Sequence, residues 1–314
     1  MKRIVVIGGK GRIGSYLTPM LCAEGHEVVV ITRGRQTPPR SQPVWQVVEQ
    51  VVLDRKQEDF AQQVVALAPD VVFDLVCYSE KDMLNLTSAL NDRIYHYIAV
   101  GSIWMHGPSS VVPCPEHLNR ESEDTYGQEK RKMDDALQRL FARSGFPGTI
   151  VHPGHIVSEG FKPINPQGNI NLDVFTRLFQ GKTLTLPNMG LETLHHVHAA
   201  DVAGVMIAAM NRGSISFGQG FHAASPAAIT LAGFAQAVAA WVGQEAKLAF
   251  QPYEQWAKTV SAEDAAITLE HISRSPNASM EKARQMLDFT PRFSSLQAVR
   301  SAVDWLIANG DLSF

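Results

Sequence analysis

Short hydrophobic runs alternate with longer amphipathic stretches through the first half of the chain. The runs cover residues 3–7, 27–31, 47–53, 71–75, 94–100 and 149–152. Each is compact and rich in β-branched residues, which is typical of strands buried on both faces of a parallel sheet. Amphipathic stretches such as 13–24 and 58–68 predict the helices between them, and Pro69 ends the second. The pattern predicts a doubly wound α/β sheet with right-handed crossovers.

The pattern changes after Pro153. Residues 154–168 are rich in glycine, proline and asparagine, which indicates a loop. Helical patterns follow at 172–180, from Asp201 onward, and at 231–243 and 280–307, while 220–224 resembles one more strand. We therefore expect a sheet domain over residues 1–155, to which 194–225 returns. Residues 156–193 and 226–314 would form a smaller, mainly helical lobe.

Composition and charge are those of a globular protein in a reducing compartment. The net charge of -3 at pH 7 argues against a nucleic-acid partner, which would favour a basic surface. The three cysteines are widely spaced and odd in number, which disfavours a disulfide scaffold. No apolar run has the length of a membrane span or of a secretory signal. We expect a soluble, cytoplasmic protein.

A glycine loop follows the first predicted strand directly and opens the first predicted helix. Gly8 permits a tight turn, Gly11 lets backbone N–H groups approach an anion, and Gly14 lets the helix pack on the strand. Together with Arg12 and Ile13, these glycines predict a binding site for the pyrophosphate of a dinucleotide.

The end of the second predicted strand bears on which dinucleotide binds. An acidic residue there would bind the ribose 2′-hydroxyl of NAD. Instead the chain continues Thr32-Arg33-Gly34-Arg35. Arg33 offers a planar set of donors to a 2′-phosphate, and Lys10 and Arg12 add positive charge. Such side chains are also often merely solvated. We favour NADP as the cofactor, with NAD as the alternative.

Three further residues have the chemistry of a proton-transfer site. Ser102 closes the fifth predicted strand, at the sheet edge where α/β proteins bind ligands, and Tyr126 and Lys130 would share one helix face. An ammonium near a phenol lowers the pKa of the phenol, so that Tyr126 can exchange a proton with an alcohol or carbonyl. Ser102 would bond the same substrate oxygen, and Lys130 would bind the nicotinamide ribose. Taken singly, Tyr126 and Lys130 could equally be solvent-facing residues of a helix, and Ser102 could merely cap a turn.

The order of these motifs resembles the extended short-chain dehydrogenase/reductase family, and in particular its NAD(P)-dependent epimerase/dehydratase branch. The likeness continues in Pro153-Gly154, in residues 197–203 and in Phe289-Thr290-Pro291-Arg292. The resemblance implies a Rossmann sheet of about seven strands, a Ser-Tyr-Lys site and an epimerase, dehydrogenase or reductase activity. It also implies that Asp54 lies near the adenine, and that the protein is often a homodimer.

Two departures from that family concern the substrate. Leu194 and His152 stand where nucleotide-sugar epimerases usually carry arginines, the first of which binds the diphosphate. Loss of such a contact removes about 1.5–3 kcal/mol of binding free energy. This weighs against a UDP- or TDP-sugar substrate. The neutral, amide-rich loop 154–171 favours a small polyhydroxyl substrate such as a sugar or a sugar lactone.

Neighbouring histidines at 195, 196 and 198 raise the question of a metal. Strand alternation puts His196 and His198 on one face and His195 on the other, and no cysteine lies at ligand spacing, so we expect no metal site. We expect a structural hydrogen bond from His198. His155, Asn169 and His196 are the predicted substrate contacts, although the asparagines of this loop equally suit turn stabilisation.

Two functions remain at this point. The first is an NADP(H)-dependent enzyme that oxidises, reduces or epimerises a small polar substrate by hydride transfer. The second is a catalytically silent NAD(P)-binding sensor or an RNA-binding protein, because residues 8–38 also resemble chloroplast stem-loop RNA-binding members of the superfamily. Those members tend to lose the tyrosine and lysine that this chain keeps, and the acidic balance disfavours RNA. The sequence favours the enzyme.

Overall fold

A computed structural model describes residues 1–35, 37–40, 42–118 and 120–313. Within them, a central sheet is formed by seven strands, which we number in chain order. They are β1 (Arg3–Ile7), β2 (Glu27–Thr32), β3 (Glu49–Val52), β4 (Val71–Asp74), β5 (His96–Val100), β6 (Gly148–Pro153) and β7 (Gln219–Ala223). All neighbours are parallel, in the order β3-β2-β1-β4-β5-β6-β7. The predicted doubly wound sheet is confirmed, and its order reverses between β1 and β4, where such sheets bind ligands.

Helices cover both faces of the sheet. They are α1 (Gly14–Ala23), α2 (Phe60–Ala66), α3 (Glu80–Leu90), α4 (Thr125–Ser144), α5 (Asp173–Phe179), α6 (Ala199–Arg212), α7 (Leu231–Ala240), α8 (Ala262–Ile272), α9 (Glu281–Leu287) and α10 (Ser295–Ala308). Shorter helical turns occur at Val44–Val47, Ile103–His106, Gly213–Ile215, Tyr253–Trp256 and Ala257–Thr259. Alternate residues of β1 serve the two faces: Ile4 and Val6 pack with α1 and α6, and Val5 and Ile7 with α2, α3 and α4.

The lobe has its own hydrophobic core, formed by α5, α7 and α10. Its short strand pairs are His155–Val157 with His196–His198, Leu184–Pro187 with Leu248–Gln251, and Thr193–Leu194 with Ile229–Thr230. Strand β7 returns to the central sheet beside β6. The division of the chain into two domains stays a prediction. Among the described residues, none of the helices has the length and the apolar content that a membrane span needs.

Two predicted elements differ from the structure. The helix expected over 280–307 is divided into α9 and α10, because Asp288 adopts a left-handed backbone conformation (φ 57°) and Pro291 follows it. Ser294 then starts α10 with a capping box. The strand expected over 47–53 begins at Glu49, since the preceding residues form the helical turn Val44–Val47.

Candidate functional site

The glycine loop occupies the carboxyl end of β1, and most of its glycines are required by packing. Gly8 has a φ of +86°, and a Cβ on Gly9 would lie 2.7 Å from the Val30 side chain. A Cβ on Gly14 would lie 2.4 Å from the backbone of Gly9. By contrast, the one protein atom near a Cβ on Gly11 is the carbonyl oxygen of Gly8, at 3.3 Å, among the described residues. The lack of a side chain at Gly11 therefore leaves space for a ligand, whereas Gly9 and Gly14 avoid clashes within the protein.

A cleft of about 700 Å³ opens beside this loop, a volume within the usual range for small-molecule sites. The predicted residues Gly8, Gly11, Arg12, Ile13 and Gly14 all line it. Ile13 is the N-cap of α1, and no described side chain caps the helix there. The helix therefore presents the positive end of its dipole and uncapped N–H groups to the cleft, an arrangement that suits a phosphate.

Positive charge is concentrated along the cleft. Among the described residues, two carboxylates, Asp54 and Asp82, line it together with seven cationic side chains, those of Lys10, Arg12, Arg33, Arg35, Arg55, Lys56 and Lys130. Arg33 and Arg35 are exposed, whereas Arg55 pairs with the buried Asp74. Asp54 accepts a hydrogen bond from the backbone N–H of Lys56 at 3.0 Å. The structure thus brings Arg33 and Asp54 to the same cleft as the glycine loop.

Arg12 is held more firmly than a solvated arginine would be. It donates a hydrogen bond to the carbonyl of Ile156 at 3.0 Å, and its guanidinium lies 4.6 Å from the centroid of the Phe161 ring. Burial lowers the pKa of Arg12. The side chain therefore joins the glycine loop to the segment that follows β6, and forms one wall of the cleft.

Ser102 and Tyr126 meet at the carboxyl end of the sheet. Ser102 follows β5, and its Oγ accepts a hydrogen bond from the N–H of Trp104 at 3.1 Å, which caps the turn Ile103–His106. The side chain of Ser102 also interacts with Tyr126, near the start of α4. Burial raises the pKa of Tyr126, and the interaction with Ser102 opposes that rise. Ser102 therefore both caps a turn and lowers the pKa of the phenol.

Lys130 is buried beside Tyr126. Its Nζ donates to the carbonyl oxygens of Cys77 at 2.6 Å and Val100 at 2.7 Å, and only 1% of the residue is exposed. Burial lowers the pKa of Lys130 to about 8. The ammonium lines the cleft and lies 5.5 Å from the centroid of the Tyr126 ring. The pKa of Tyr126 is nevertheless raised, with burial as the largest cause, and its lowering by Lys130 stays a prediction.

A buried charged network lies beneath Lys130. Asp74 is fully buried at the end of β4, pairs with Arg55, and accepts a hydrogen bond from the hydroxyl of Tyr97 at 2.9 Å. Burial, followed by the charge of Asp74, raises the pKa of Cys77 to about 12. Cys77 therefore remains a thiol at neutral pH.

Two of the neighbouring histidines are structural. His195 lies between the carbonyl of Ser225, 2.8 Å from its Nε2, and the N–H of Ala278, which donates to its Nδ1 at 3.0 Å. His198 caps α6 by accepting a hydrogen bond from the N–H of Ala200 at 3.2 Å, the structural role expected from the sequence. Backbone groups therefore orient both rings.

The three predicted substrate contacts are placed differently from one another. Asn169 is fully buried, donates to the hydroxyl of Thr268 at 3.1 Å, and accepts a hydrogen bond from the N–H of Asn171 at 3.0 Å. It stabilises its own loop, so its predicted substrate contact is not supported. His155 and His196 occupy neighbouring strands with their ring centroids 5.9 Å apart.

Residues that the sequence did not single out surround Tyr126. The Trp104 ring lies 5.9 Å from the Tyr126 ring and 5.4 Å from the His271 ring, centroid to centroid. The guanidinium of Arg274 stacks over Trp104 at 3.9 Å and pairs with Asp124 at 2.7 Å. Asp124 is the N-cap of α4, a signal readable from the sequence, but nothing in the sequence connects it to Arg274.

The two positions that lack the expected arginines both lie inside the protein. His152 is fully buried between the N–H of Ser102, which donates to its Nδ1 at 3.3 Å, and a carboxylate oxygen of Asp134, 3.3 Å from its Nε2. Leu194 is fully buried in the core of the lobe. Neither position contributes a cation to a substrate pocket.

The chain is similar to two curated proteins over part of their length. It is 26% identical over 212 residues to the chloroplast stem-loop binding protein of 41 kDa b of Arabidopsis thaliana, a match that covers 64% of this chain and 53% of that protein. It is 29% identical over 161 residues to the 2'-dehydrokanamycin reductase of Streptomyces kanamyceticus, covering 50% of this chain and 44% of that one. The matches thus span about half the length of these relatives.

Solved structures and a family match agree on the fold. The epimerase Mth375 of Methanothermobacter thermautotrophicus superposes with a TM-score of 0.73 at 18% identity, covering 99% of this chain and 93% of that one. The UDP-N-acetylglucosamine 4-epimerase of Bacillus cereus gives 0.72 at 20% identity, covering 99% and 100%. Residues 4–217 match the NAD dependent epimerase/dehydratase family, which implies a nicotinamide cofactor. This chain belongs to the NAD dependent epimerase/dehydratase family.

Proposed function

We propose that this protein is an NADP(H)-dependent oxidoreductase or epimerase that acts on a hydroxyl or carbonyl carbon of a small polar, sugar-like substrate. The observation that carries the proposal is that Tyr126 and Lys130 line the same cleft as the glycine loop, with the side chain of Ser102 interacting with the phenol. A phenol and a hydroxyl that lie beside each other can both contact a single substrate oxygen.

The cleft residues fit a dinucleotide. Gly11 and the N-terminus of α1 would hold the pyrophosphate, Lys130 the nicotinamide ribose, and Asp54 would lie by the adenine. When bound, the nicotinamide supplies or accepts the hydride. Among the described residues, seven cationic side chains and two carboxylates line the cleft, and this excess of positive charge supports a 2′-phosphate held by Arg33.

The protonated phenol of Tyr126 can serve as the proton donor in the reductive direction. Because its pKa is raised, the phenol keeps its proton at neutral pH and can donate it to a substrate oxygen as hydride reaches the adjoining carbon. Ser102 orients the same oxygen, and Tyr126, 40% exposed, recovers a proton from solvent. In the oxidative direction the phenol must first lose its proton, and a hydrogen bond from Ser102 would stabilise the phenolate.

An RNA-binding function is the second candidate, because the match to the stem-loop binding protein covers 64% of the chain. The net charge of -3 and the retained contact between Tyr126 and Ser102 both favour the enzyme. A filter-binding assay with a stem-loop RNA separates the two candidates: RNA binding without any NADPH turnover would favour the second.

The enzyme is tested by NADPH oxidation with small neutral ketones and lactones, followed at the nicotinamide absorbance. Tyr126→Phe should lower turnover by about 10²–10⁴-fold, the usual contribution of a general acid, and leave NADP+ affinity unchanged. Tyr95→Phe is the matched control, because this exposed phenol precedes β5 at the opposite edge of the sheet. Full activity of Tyr126→Phe would contradict the mechanism.

A further inference from the structure

Two buried imidazoles beside the site have ring nitrogens without partners. His155 is 8% exposed, and neither its Nδ1 nor its Nε2 has a hydrogen-bond partner among the described residues. His196 is fully buried, and its Nε2 lies 3.3 Å from the carbonyl of Ile164. Its Nδ1 likewise has no partner in the part of the chain that the structure describes. Buried polar atoms in folded proteins are nearly always paired, so these three nitrogens point to a ligand.

The imidazoles are continuous with the proposed proton donor. A row of ring contacts runs from Tyr126 to Trp104 (5.9 Å between centroids), to His271 (5.4 Å), to His155 (4.9 Å) and on to His196 (5.9 Å). His155 follows the carboxyl end of β6, and Ser102 that of β5, and these two strands are neighbours. Ser102 and His155 therefore lie at the same edge of the sheet, and a substrate that reaches from Tyr126 to His155 must pass the rings of Trp104 and His271.

The surroundings favour neutral polar groups. Burial lowers the pKa of His155 well below its ordinary value and that of His196 to about 3, so both rings are neutral at pH 7. A neutral imidazole offers one donor and one acceptor, which matches a hydroxyl group. The positive charge of Arg274 is compensated by Asp124 at 2.7 Å. A diphosphate would find there two neutral rings and a cation already paired with a carboxylate.

We propose that His155 and His196 form a subsite that binds hydroxyl groups of a neutral, polyhydroxylated substrate and selects against a nucleoside-diphosphate sugar. The inference rests on the proposed function, because it assigns the substrate class of the same site. The imidazoles bind and orient the substrate, and the proton that moves during the reaction remains the one on Tyr126.

A binding experiment tests the subsite without relying on turnover. The NADP+-loaded protein, carrying isotope-labelled histidine, is titrated with anhydrofructose, a neutral keto-sugar, and separately with UDP-glucose. The ring signals of His155 and His196, assigned from His155→Gln and His196→Gln, should shift with anhydrofructose and not with UDP-glucose. Shifts with UDP-glucose alone, or with neither compound, would overturn the proposal.

Turnover separates the subsite from the proposed function. His155→Phe, which keeps a ring without hydrogen-bonding atoms, should raise the KM for anhydrofructose at least tenfold, while NADP+ affinity stays within twofold. His155→Gln should recover part of that loss, and His117→Gln, a change at an exposed histidine, should have no effect. Unchanged KM in His155→Phe refutes the subsite but leaves the hydride chemistry standing. Turnover of UDP-glucose that depends on Tyr126 would likewise refute the subsite and leave the hydride chemistry standing. Failure to bind NADP+ would refute the proposed function itself.

Discussion

The side chains of Tyr126 and Ser102 interact at the carboxyl end of the parallel sheet, where Ser102 acts to lower the pKa of the phenol. One belongs to α4 and the other follows β5, so their contact depends on how the helix packs across the strand ends. The contact joins a proton donor to a second hydroxyl beside the cleft of the glycine loop. Its consequences can be measured through single substitutions.

Substitution Ser102→Ala should weaken proton transfer more than cofactor binding. The interaction with Ser102 opposes the rise in the pKa of Tyr126, so its removal should raise that pKa further. In the oxidative direction the rate increases as the phenol loses its proton, so the ascending limb of the pH profile should then move to higher pH. Loss of the cap on Ile103–His106 should also lower the free energy of unfolding by about 1 kcal/mol. Ser144→Ala, an exposed serine of α4, is the control, and an unmoved profile would contradict the contact.

The ammonium of Lys130 should make cofactor affinity depend on pH. Because burial depresses its pKa to about 8, the positive charge is present below that pH and is lost as pH rises through it. We expect NADP+ affinity, measured by calorimetry, to fall above pH 8. Lys130→Met should bind weakly and lose this inflection, whereas Lys132→Met, at an exposed lysine of the same helix, should retain it. If the NADP+ affinity of the wild-type protein does not vary across pH 8, Lys130 does not contact the cofactor.

Arg33 should distinguish NADP from NAD. A charge-assisted contact with a phosphate contributes about 1.5–3 kcal/mol, so Arg33→Ala should weaken NADP+ binding roughly 10–150-fold. NAD+ affinity should hardly change, because NAD lacks the 2′-phosphate. Arg93→Ala, an exposed arginine away from the cleft, controls for a general loss of charge. Equal losses of affinity for NADP+ and NAD+ would show that Arg33 does not distinguish the two dinucleotides.

The buried pair of Arg55 and Asp74 should be important for stability. Arg55→Met would leave the fully buried carboxylate of Asp74 without its cation, which typically costs about 3–5 kcal/mol in the free energy of unfolding. Arg139→Met removes an exposed pair with Glu80 and should cost less than about 1 kcal/mol. Urea denaturation followed by circular dichroism compares the two variants. Similar losses would contradict the role assigned to the buried pair.

The sheet and the glycine loop were predictable because their constraints are local. Strands buried on both faces must be apolar along their whole length, and a strand-to-helix turn on an anion requires glycine at fixed positions. Ser102 and Tyr126 were predictable for a related reason, since each lies beside an element end that the pattern locates. The break between α9 and α10 was not located from the sequence, because it depends on the left-handed backbone conformation of Asp288.

Contacts between distant segments were not predictable. The spacing of Tyr126 and Lys130 fixes a shared helix face, but it does not show that carbonyls of other strands hold the ammonium. Arg274 reaches Asp124 from the far end of the chain, and no motif records that pairing. Asn169 was predicted to contact a substrate because its loop is rich in amides. In the structure the polar groups of this loop form hydrogen bonds with one another.

The most direct test of the central claim is a crystal structure of the protein with NADP+ bound. The account predicts the pyrophosphate on Gly11 and the start of α1, the 2′-phosphate at Arg33, and the nicotinamide beside the hydroxyls of Tyr126 and Ser102. A nicotinamide on the far side of the sheet from Tyr126, or a dinucleotide outside the cleft of the glycine loop, would contradict it.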